Sequence, residues 1–160
     1  MNLPALPLAS ALLLLAPAAA SAGPAAPQVQ VPWSRPAAAG TTGAGYFTLA
    51  NPGPRPAVLV KVESPAAERV EMHASTLTAG VMRMEPETRV TAPAGGQVVF
   101  APGGRHLMFV GLKHALAPGD TLPATLVFAD GRRVKTGFAV GDGLGPPRPP
   151  EAHGAARPHS

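Results

Sequence analysis

The chain has 160 residues, of which 46% are hydrophobic and only 4% aromatic, which suits one domain with a core of small aliphatic side chains. Its 13 basic and 9 acidic residues give a net charge of +4 but form no basic stripe with interleaved aromatics, which argues against nucleic-acid binding. The sequence contains no cysteine. This excludes disulfides, thiolate metal sites and cysteine catalysis, so a soft metal would have to be held by methionine and histidine.

Residues 1–22 are predicted to form a secretory signal peptide. Four leucines at 12–15 lie in an uncharged apolar run, and Ala-Ser-Ala at 20–22 fits the small-x-small pattern of a cleavage site. The run is broken by Pro17 and is too short to span a membrane, so we expect no span after signal removal. The alternative is a retained N-terminal anchor, although no cysteine follows the cleavage point to carry a lipid. Export predicts a periplasmic or extracellular location.

Residues 23–141 are predicted to form a single all-β domain, because short apolar segments recur between glycine and proline turns. No segment shows the 3.6-residue period of a helix, which favours a β-sandwich or barrel. The predicted strands are 29–31, 46–49, 57–63, 68–73, 81–85, 97–101, 103–112, 121–129 and 132–140. Asp130-Gly131 indicates a two-residue hairpin turn, and Pro123 should place its strand at a sheet edge or a bulge. Trp33 is expected at the edge of the core.

The segment 103–112 presents two chemically different faces. Side chains alternate along a strand, so His106 and Met108 point one way while Leu107 and Phe109 point to the core. Alternation in the two upstream strands places His73 opposite the core face and puts Met84 on the same side as Met82. Met72 and Met82 are predicted to be core side chains, and His114 is a loop residue without a matching partner.

Four residues are candidate ligands for a metal: His73, Met84, His106 and Met108. The intervals between them are ten residues, twenty-one residues and one residue. Imidazole and thioether are neutral, soft donors that suit Cu(I), whereas zinc prefers thiolates or carboxylates beside imidazole and calcium and magnesium prefer oxygen. From the residues alone, ordinary strand histidines and core methionines remain an equally good interpretation.

The same spacing, with its flanking sequence, resembles the periplasmic Cu(A) chaperone family, PCu(A)C, over roughly residues 28–141. That family is marked by a His, ten residues, a Met, twenty-one residues and then His-x-Met, and this chain matches all four positions. The segments 44–53, 65–73 and 119–131 are similar to the family as well. One departure is visible: the family often has a methionine two residues after the first ligand, where this chain has Ser75.

The resemblance implies a cupredoxin-like β-sandwich of Greek-key topology that binds one Cu(I) near its surface through the four candidate ligands. It further implies a periplasmic chaperone, expected to be monomeric, that delivers copper by ligand exchange. The implied recipient is the Cu(A) or Cu(B) centre of cytochrome c oxidase, and the implied partner is an oxidase subunit or a Sco-type protein.

Residues 142–160 are predicted to be a disordered tail rich in proline and glycine. Its His153 and His159 could capture Cu(II), against the simpler interpretation of a solvated tail. Two other functions stay open, namely copper storage or resistance without a dedicated acceptor, and a metal-free structural β-sandwich. An enzyme is not expected, because the sequence has no Ser-His-Asp pattern and no phosphate-binding glycine loop. A blue-copper electron carrier would need cysteine.

Overall fold

The structure, a computed structural model, describes residues 25–147. Every element of regular secondary structure named below in that range is a β-strand. The predicted signal peptide and most of the predicted tail, including His153 and His159, lie outside the described residues. The strands are β1 Gln28–Ser34, β2 Gly43–Ala50, β3 Ala57–Glu63, β4 Ala67–Thr78, β5 Val81–Glu87, β6 Val90–Ala92, β7 Gln97–Phe100, β8 Arg105–Leu112, β9 Thr121–Phe128 and β10 Arg133–Val140. Over this range there is no helix long and apolar enough to cross a membrane.

The ten strands form one hydrogen-bonded sheet in the order β5-β4-β8-β7-β2-β1-β10-β9-β3-β6, with an additional pairing of β8 with β2. The sheet folds over as a cupredoxin-like β-sandwich, which confirms the predicted fold class. Strands from both halves of the sheet contribute to one hydrophobic core. Only β6, a strand of three residues, was not predicted from the sequence, because so short a segment carries no alternation.

Alternation of side chains decides which face of each strand is buried. On β8, Leu107 and Phe109 are fully buried, as predicted. Phe109 meets Phe138 of β10 edge to face, with ring centroids 5.6 Å apart, a favourable geometry for aromatic pairs. Trp33 is buried at the margin of this core and packs on Tyr46, with centroids 4.6 Å apart, which confirms its predicted position.

Two predictions about local structure were wrong. The β9–β10 connection has three residues, because the N–H of Phe128 donates to the carbonyl of Arg132 at 2.9 Å and the chain reverses over residues 129–131. Gly131 takes the left-handed conformation (φ +86°) that such a loop requires. Pro123 lies in an interior strand, since β9 is flanked by β10 and β3. It is tolerated because the ladder with β3 ends at Thr125, so its missing N–H removes no bond to β3.

The longest strand, β4, extends beyond its neighbour β8. Its pairing with β8 runs from Ala67 to Ala74, whereas its pairing with β5 continues to Thr78. Residues 75–84 therefore form a two-stranded projection, called the hairpin arm below. Ala79 and Gly80 at its tip have φ of +50° and +77°. Positive φ at both turn residues is typical of the tight type I′ turn, which matches the twist of the flanking strands.

We expect Gly45→Ala to lower the free energy of unfolding by about 1–3 kcal/mol, the usual cost of overpacking a core. A Cβ at Gly45 would lie 2.7 Å from Phe109 Cε2 and 3.3 Å from Phe138 Cε1. Gly104→Ala is the matched control, since its Cβ would come no nearer than 3.6 Å to the Ala101 carbonyl oxygen, and it should change stability by less than about 0.5 kcal/mol. Urea unfolding measures both; equal stability of Gly45→Ala and the parent would contradict the packing described.

Candidate metal centre

The register between β4 and β8 brings the two candidate histidines together. His73 lies directly opposite His106, and Met108 lies opposite Glu71. Opposite residues in an antiparallel pair, and residues two apart in one strand, share a face of the sheet. His73, His106 and Met108 therefore project from the same face, away from the core. The two imidazole rings are nearly parallel, with an interplanar angle of 25° and centroids 5.9 Å apart.

The register between β4 and β5 adds the fourth candidate. Met84 lies opposite Ser75, which is two residues beyond His73 on β4. Met84 thus shares the face of the histidines, although twenty-one residues of chain separate it from His106. Met84, His106 and Met108 line an open groove of about 360 Å³, which Tyr46 also lines. We call this surface of β5, β4 and β8 the ligand face.

His106 is held in one orientation by the turn that precedes β8. It is 9% exposed, and its Nδ1 lies 3.0 Å from the carbonyl oxygen of Gly104. A carbonyl oxygen can only accept a hydrogen bond, so Nδ1 carries the proton in this contact. The neutral ring then has its lone pair on Nε2, the arrangement by which metal-binding histidines are usually fixed.

His73 is held through its other ring nitrogen. Its Nε2 lies 3.0 Å from Glu71 Oε2, and because an ionised carboxylate only accepts, Nε2 carries the proton. The lone pair of the neutral ring is therefore on Nδ1. That atom is buried, and no residue in the described range hydrogen-bonds to it. A buried polar atom without a partner is costly, and a metal ion bound at Nδ1 would remove that cost.

Glu71 is itself held by a cation. Arg69 Nε donates to Glu71 Oε1 at 2.7 Å. This hydrogen bond, followed by the one from His73, keeps the pKa of Glu71 below its usual range. Glu71 is therefore ionised at neutral pH, and its contacts are lost only as acid protonates it below that range. Arg69, Glu71 and His73 alternate along one side of β4 and act in sequence to orient the imidazole.

A second ion pair joins these strands on the face opposite the ligand face. Arg105 Nε and Nη2 donate to the two carboxylate oxygens of Glu87 at 2.9 and 3.1 Å. Arg105 pairs with Ala74 and Glu87 with Met72, so both project from the face opposite the ligands. The contact links β8 to β5 across β4. Sequence reasoning missed it, because the two residues are 18 positions apart and carry no local signal.

Of the four candidate donors, two are mostly buried and the other two are more accessible. The imidazoles are mostly buried, Met108 is half-buried and Met84 is 57% exposed. All four are neutral when their lone pairs are free, a combination that suits a soft monovalent ion. Between residues 25 and 147, no group of three or more histidine, aspartate or glutamate side chains forms a further metal site.

The other methionines and histidines were assigned with mixed success. Met72 is 6% exposed and belongs to the core, as predicted. The prediction that Met82 is a core side chain was wrong, because Met82 lies on the hairpin arm and is 55% exposed. Alternation correctly placed Met82 on the same face as Met84. It could not show that this face of the hairpin arm is exposed to solvent. His114 is exposed in the loop after β8.

Comparison with protein families gives one match over most of the chain. The model of the family described as putative lipoprotein LpqE-like matches residues 28–140, which include all ten strands. A putative lipoprotein of Leifsonia xyli subsp. xyli is 34% identical over 116 residues, which span 72% of this chain and 69% of that protein.

Solved structures share the fold over the same region. The copper-bound PCuAC domain from PmoF2 is 27% identical with a TM-score of 0.62, and the match covers 74% of this chain and 95% of that domain. The Cu(I) form of DR1885 from Deinococcus radiodurans is 30% identical with a TM-score of 0.55, covering 78% of this chain and 85% of that protein. The described β-sandwich is thus similar to domains that were solved with copper bound.

We expect the two histidines to be opposite tautomers, with the proton on Nε2 in His73 and on Nδ1 in His106, at a pH where both are neutral. Long-range proton–nitrogen spectra of the imidazoles distinguish the two forms. Glu71→Leu should remove the preference at His73 and leave His106 unchanged. Glu85→Leu is the control, since Glu85 is exposed on the opposite face of β5. An unchanged His73 tautomer in Glu71→Leu would contradict the role of Glu71.

Proposed function

The chain belongs to the LpqE-like family, and from the site that it carries we propose that it is a copper chaperone that binds one Cu(I) through His73, Met84, His106 and Met108. The observation that carries the proposal is the register of β5, β4 and β8, which places all four donors on one face. The lone pair of His73 Nδ1, buried and without a hydrogen bond among the described residues, supports it. Similarity to copper-bound PCuAC domains supports the same metal.

The donor set favours Cu(I) over harder ions. Two imidazoles and two thioethers add no negative charge, so a divalent ion would gain no charge compensation from its ligands. The nearest carboxylate, Glu71, is hydrogen-bonded to His73 and Arg69 and acts as an orienting group. Zinc sites usually include thiolate or carboxylate ligands, and neither is in this set.

Copper leaves such a site by ligand exchange. Met84 is the most exposed of the four donors and lines the groove, so an incoming ligand reaches its bond to copper first. A thiolate of an acceptor binds Cu(I) more strongly than a thioether does, so it displaces the thioether of Met84 from the ion. The ion remains Cu(I) and no bond in an organic substrate is broken, so the protein acts as a carrier and not as an enzyme.

The proposed setting is the bacterial periplasm, with the Cu(A) or Cu(B) centre of cytochrome c oxidase as the destination. The predicted signal peptide and the family of putative lipoproteins support export. A Sco-type protein or an oxidase subunit is the proposed acceptor. A copper storage or resistance protein would use the same ligands but would require no acceptor.

His106→Ala and Met108→Ala should each weaken Cu(I) binding at least about 100-fold, since loss of even an outer partner of a metal ligand costs 10–100-fold. Titration against a competing Cu(I) chelator measures the affinity, and circular dichroism checks that both variants stay folded. His114→Ala is the control, because this exposed residue is not among those that line the groove. Parent-like affinity in both ligand variants would disprove the assignment of the site.

Deleting the gene from its host should lower the activity of cytochrome c oxidase under copper limitation, and added copper should restore it. The parent gene should complement the deletion, whereas His106→Ala should not. Oxidase activity in isolated membranes is the measurement. Normal oxidase activity together with increased copper sensitivity would instead indicate storage or resistance.

A further inference from the structure

The hairpin arm continues the ligand face beyond the four donors. Leu77 and Met82 lie opposite each other on the arm, and Met82 is two residues from Met84 on β5. Both therefore project from the same face as Met84 and Ser75. The pairing of β4 with β8 ends at Ala74, so β8 does not flank this part of the arm.

Met82 is accessible to solvent, unlike the core methionine Met72. It is 55% exposed, whereas Met72 is 6% exposed. Met82 adds little to the stability of the core from this position, and its opposite neighbour Leu77 is 68% exposed as well. An apolar thioether on a projecting arm, beside the most exposed ligand of the site, is placed to contact whatever enters or leaves that site.

We propose that Met82 is a transient Cu(I) ligand on the route by which copper leaves the four-residue site. This inference rests on the proposed function. Residues two apart in a strand are separated by about 6.6 Å along the strand, and methionine has three rotatable side-chain bonds. The thioethers of Met82 and Met84 can therefore turn toward one ion between them.

The exchange step is balanced without any oxidant or reductant. A bond from copper to the Met82 sulfur forms as the bond from copper to one imidazole nitrogen breaks, and the ion remains Cu(I). The imidazole keeps its lone pair and no proton moves. Copper is then held by Met82, Met84, Met108 and the remaining imidazole, and thiolates of the acceptor displace these donors in turn.

The structure also explains why Met82 is not a resident ligand. His73 and His106 are held in place by Glu71 and by the Gly104 carbonyl, so their nitrogen donors are already oriented for the ion. Met84 lies opposite Ser75, two residues beyond His73 on β4, whereas Met82 lies opposite Leu77, four residues beyond it. Met82 is therefore about 6.6 Å further along the strand from the histidines than Met84 is. The equilibrium position of copper is therefore the four-residue site, and Met82 acts only during transfer.

Met82→Leu is the discriminating variant, because leucine keeps the size and apolarity of methionine but has no sulfur. Cu(I)-loaded protein is mixed in a stopped-flow instrument with a Cys-x-x-Cys dithiol peptide, and equilibrium affinity is measured separately with the chelator bathocuproine disulfonate. We expect affinity within about twofold of the parent and transfer about tenfold slower, the effect of losing one modest interaction in the transition state.

Two further variants isolate the sulfur as the cause. Met72→Leu makes the same chemical change at a buried position and should transfer copper at the parent rate. Leu77→Met in the Met82→Leu background returns a thioether to the opposite strand of the arm, on the same face, and should restore a measurable part of the rate. Recovery by this double variant would not be expected if Met82 served only as an apolar contact.

The outcomes separate this inference from the proposed function. A parent protein that does not bind Cu(I) would overturn both. A parent that binds Cu(I), with Met82→Leu transferring at the parent rate, would overturn only the role of Met82. Loss of equilibrium affinity in Met82→Leu would also overturn it, because Met82 would then be a resident ligand.

Discussion

The antiparallel register of β4 against β8 is the constraint on which the rest of the site depends. It places His73 opposite His106, and a slip of one residue would turn one imidazole to the core face and bring a buried side chain out. The core holds the register, because Met72 lies opposite Leu107 on the buried face. Gly111 lies near the other end of this pairing. Its φ is +67° and an added Cβ would lie 2.6 Å from Glu68 Cδ, so a larger residue there would be strained and would displace the Glu68 side chain.

Stability and the proposed metal chemistry are separated between the two faces of the same strands. The inner face of β8 buries Leu107 and Phe109 completely, and this burial supplies the hydrophobic stabilisation that holds the strand against the core. The outer face carries donors that contribute little to the core and can therefore be exposed to different degrees. The candidate donors therefore range from the mostly buried imidazoles to the exposed Met84, and Met82 beyond them is exposed to a similar degree. This is the direction in which copper is proposed to leave.

Much of the fold could be predicted, because alternation is a local property. Leu107 and Phe109 were assigned to the core from a period of two, and nine strands were located between turn signals. The errors arose where the outcome depended on distant chain. Pro123 lies in an interior strand because the ladder with β3 ends before it, and Met82 is exposed because β4 and β5 extend beyond the rest of the sheet. Neither feature can be predicted from the residues that are adjacent in the sequence.

The sequence by itself determined the chemistry available for a metal: two histidines and two methionines at fixed intervals, and no cysteine. It also determined the face on which each donor lies, since that follows from alternation along a strand. Only the tertiary structure decided that these faces coincide and which ring nitrogen is free. The pairing of β4 with β8 and the hydrogen bonds from His73 to Glu71 and from His106 to Gly104 decide this. The strand pairing depends on how separate segments of the chain are placed side by side, which spacing along the chain does not encode. Each of the two hydrogen bonds joins residues two apart in the chain, but it depends on the orientation of the ring, which alternation along a strand does not fix.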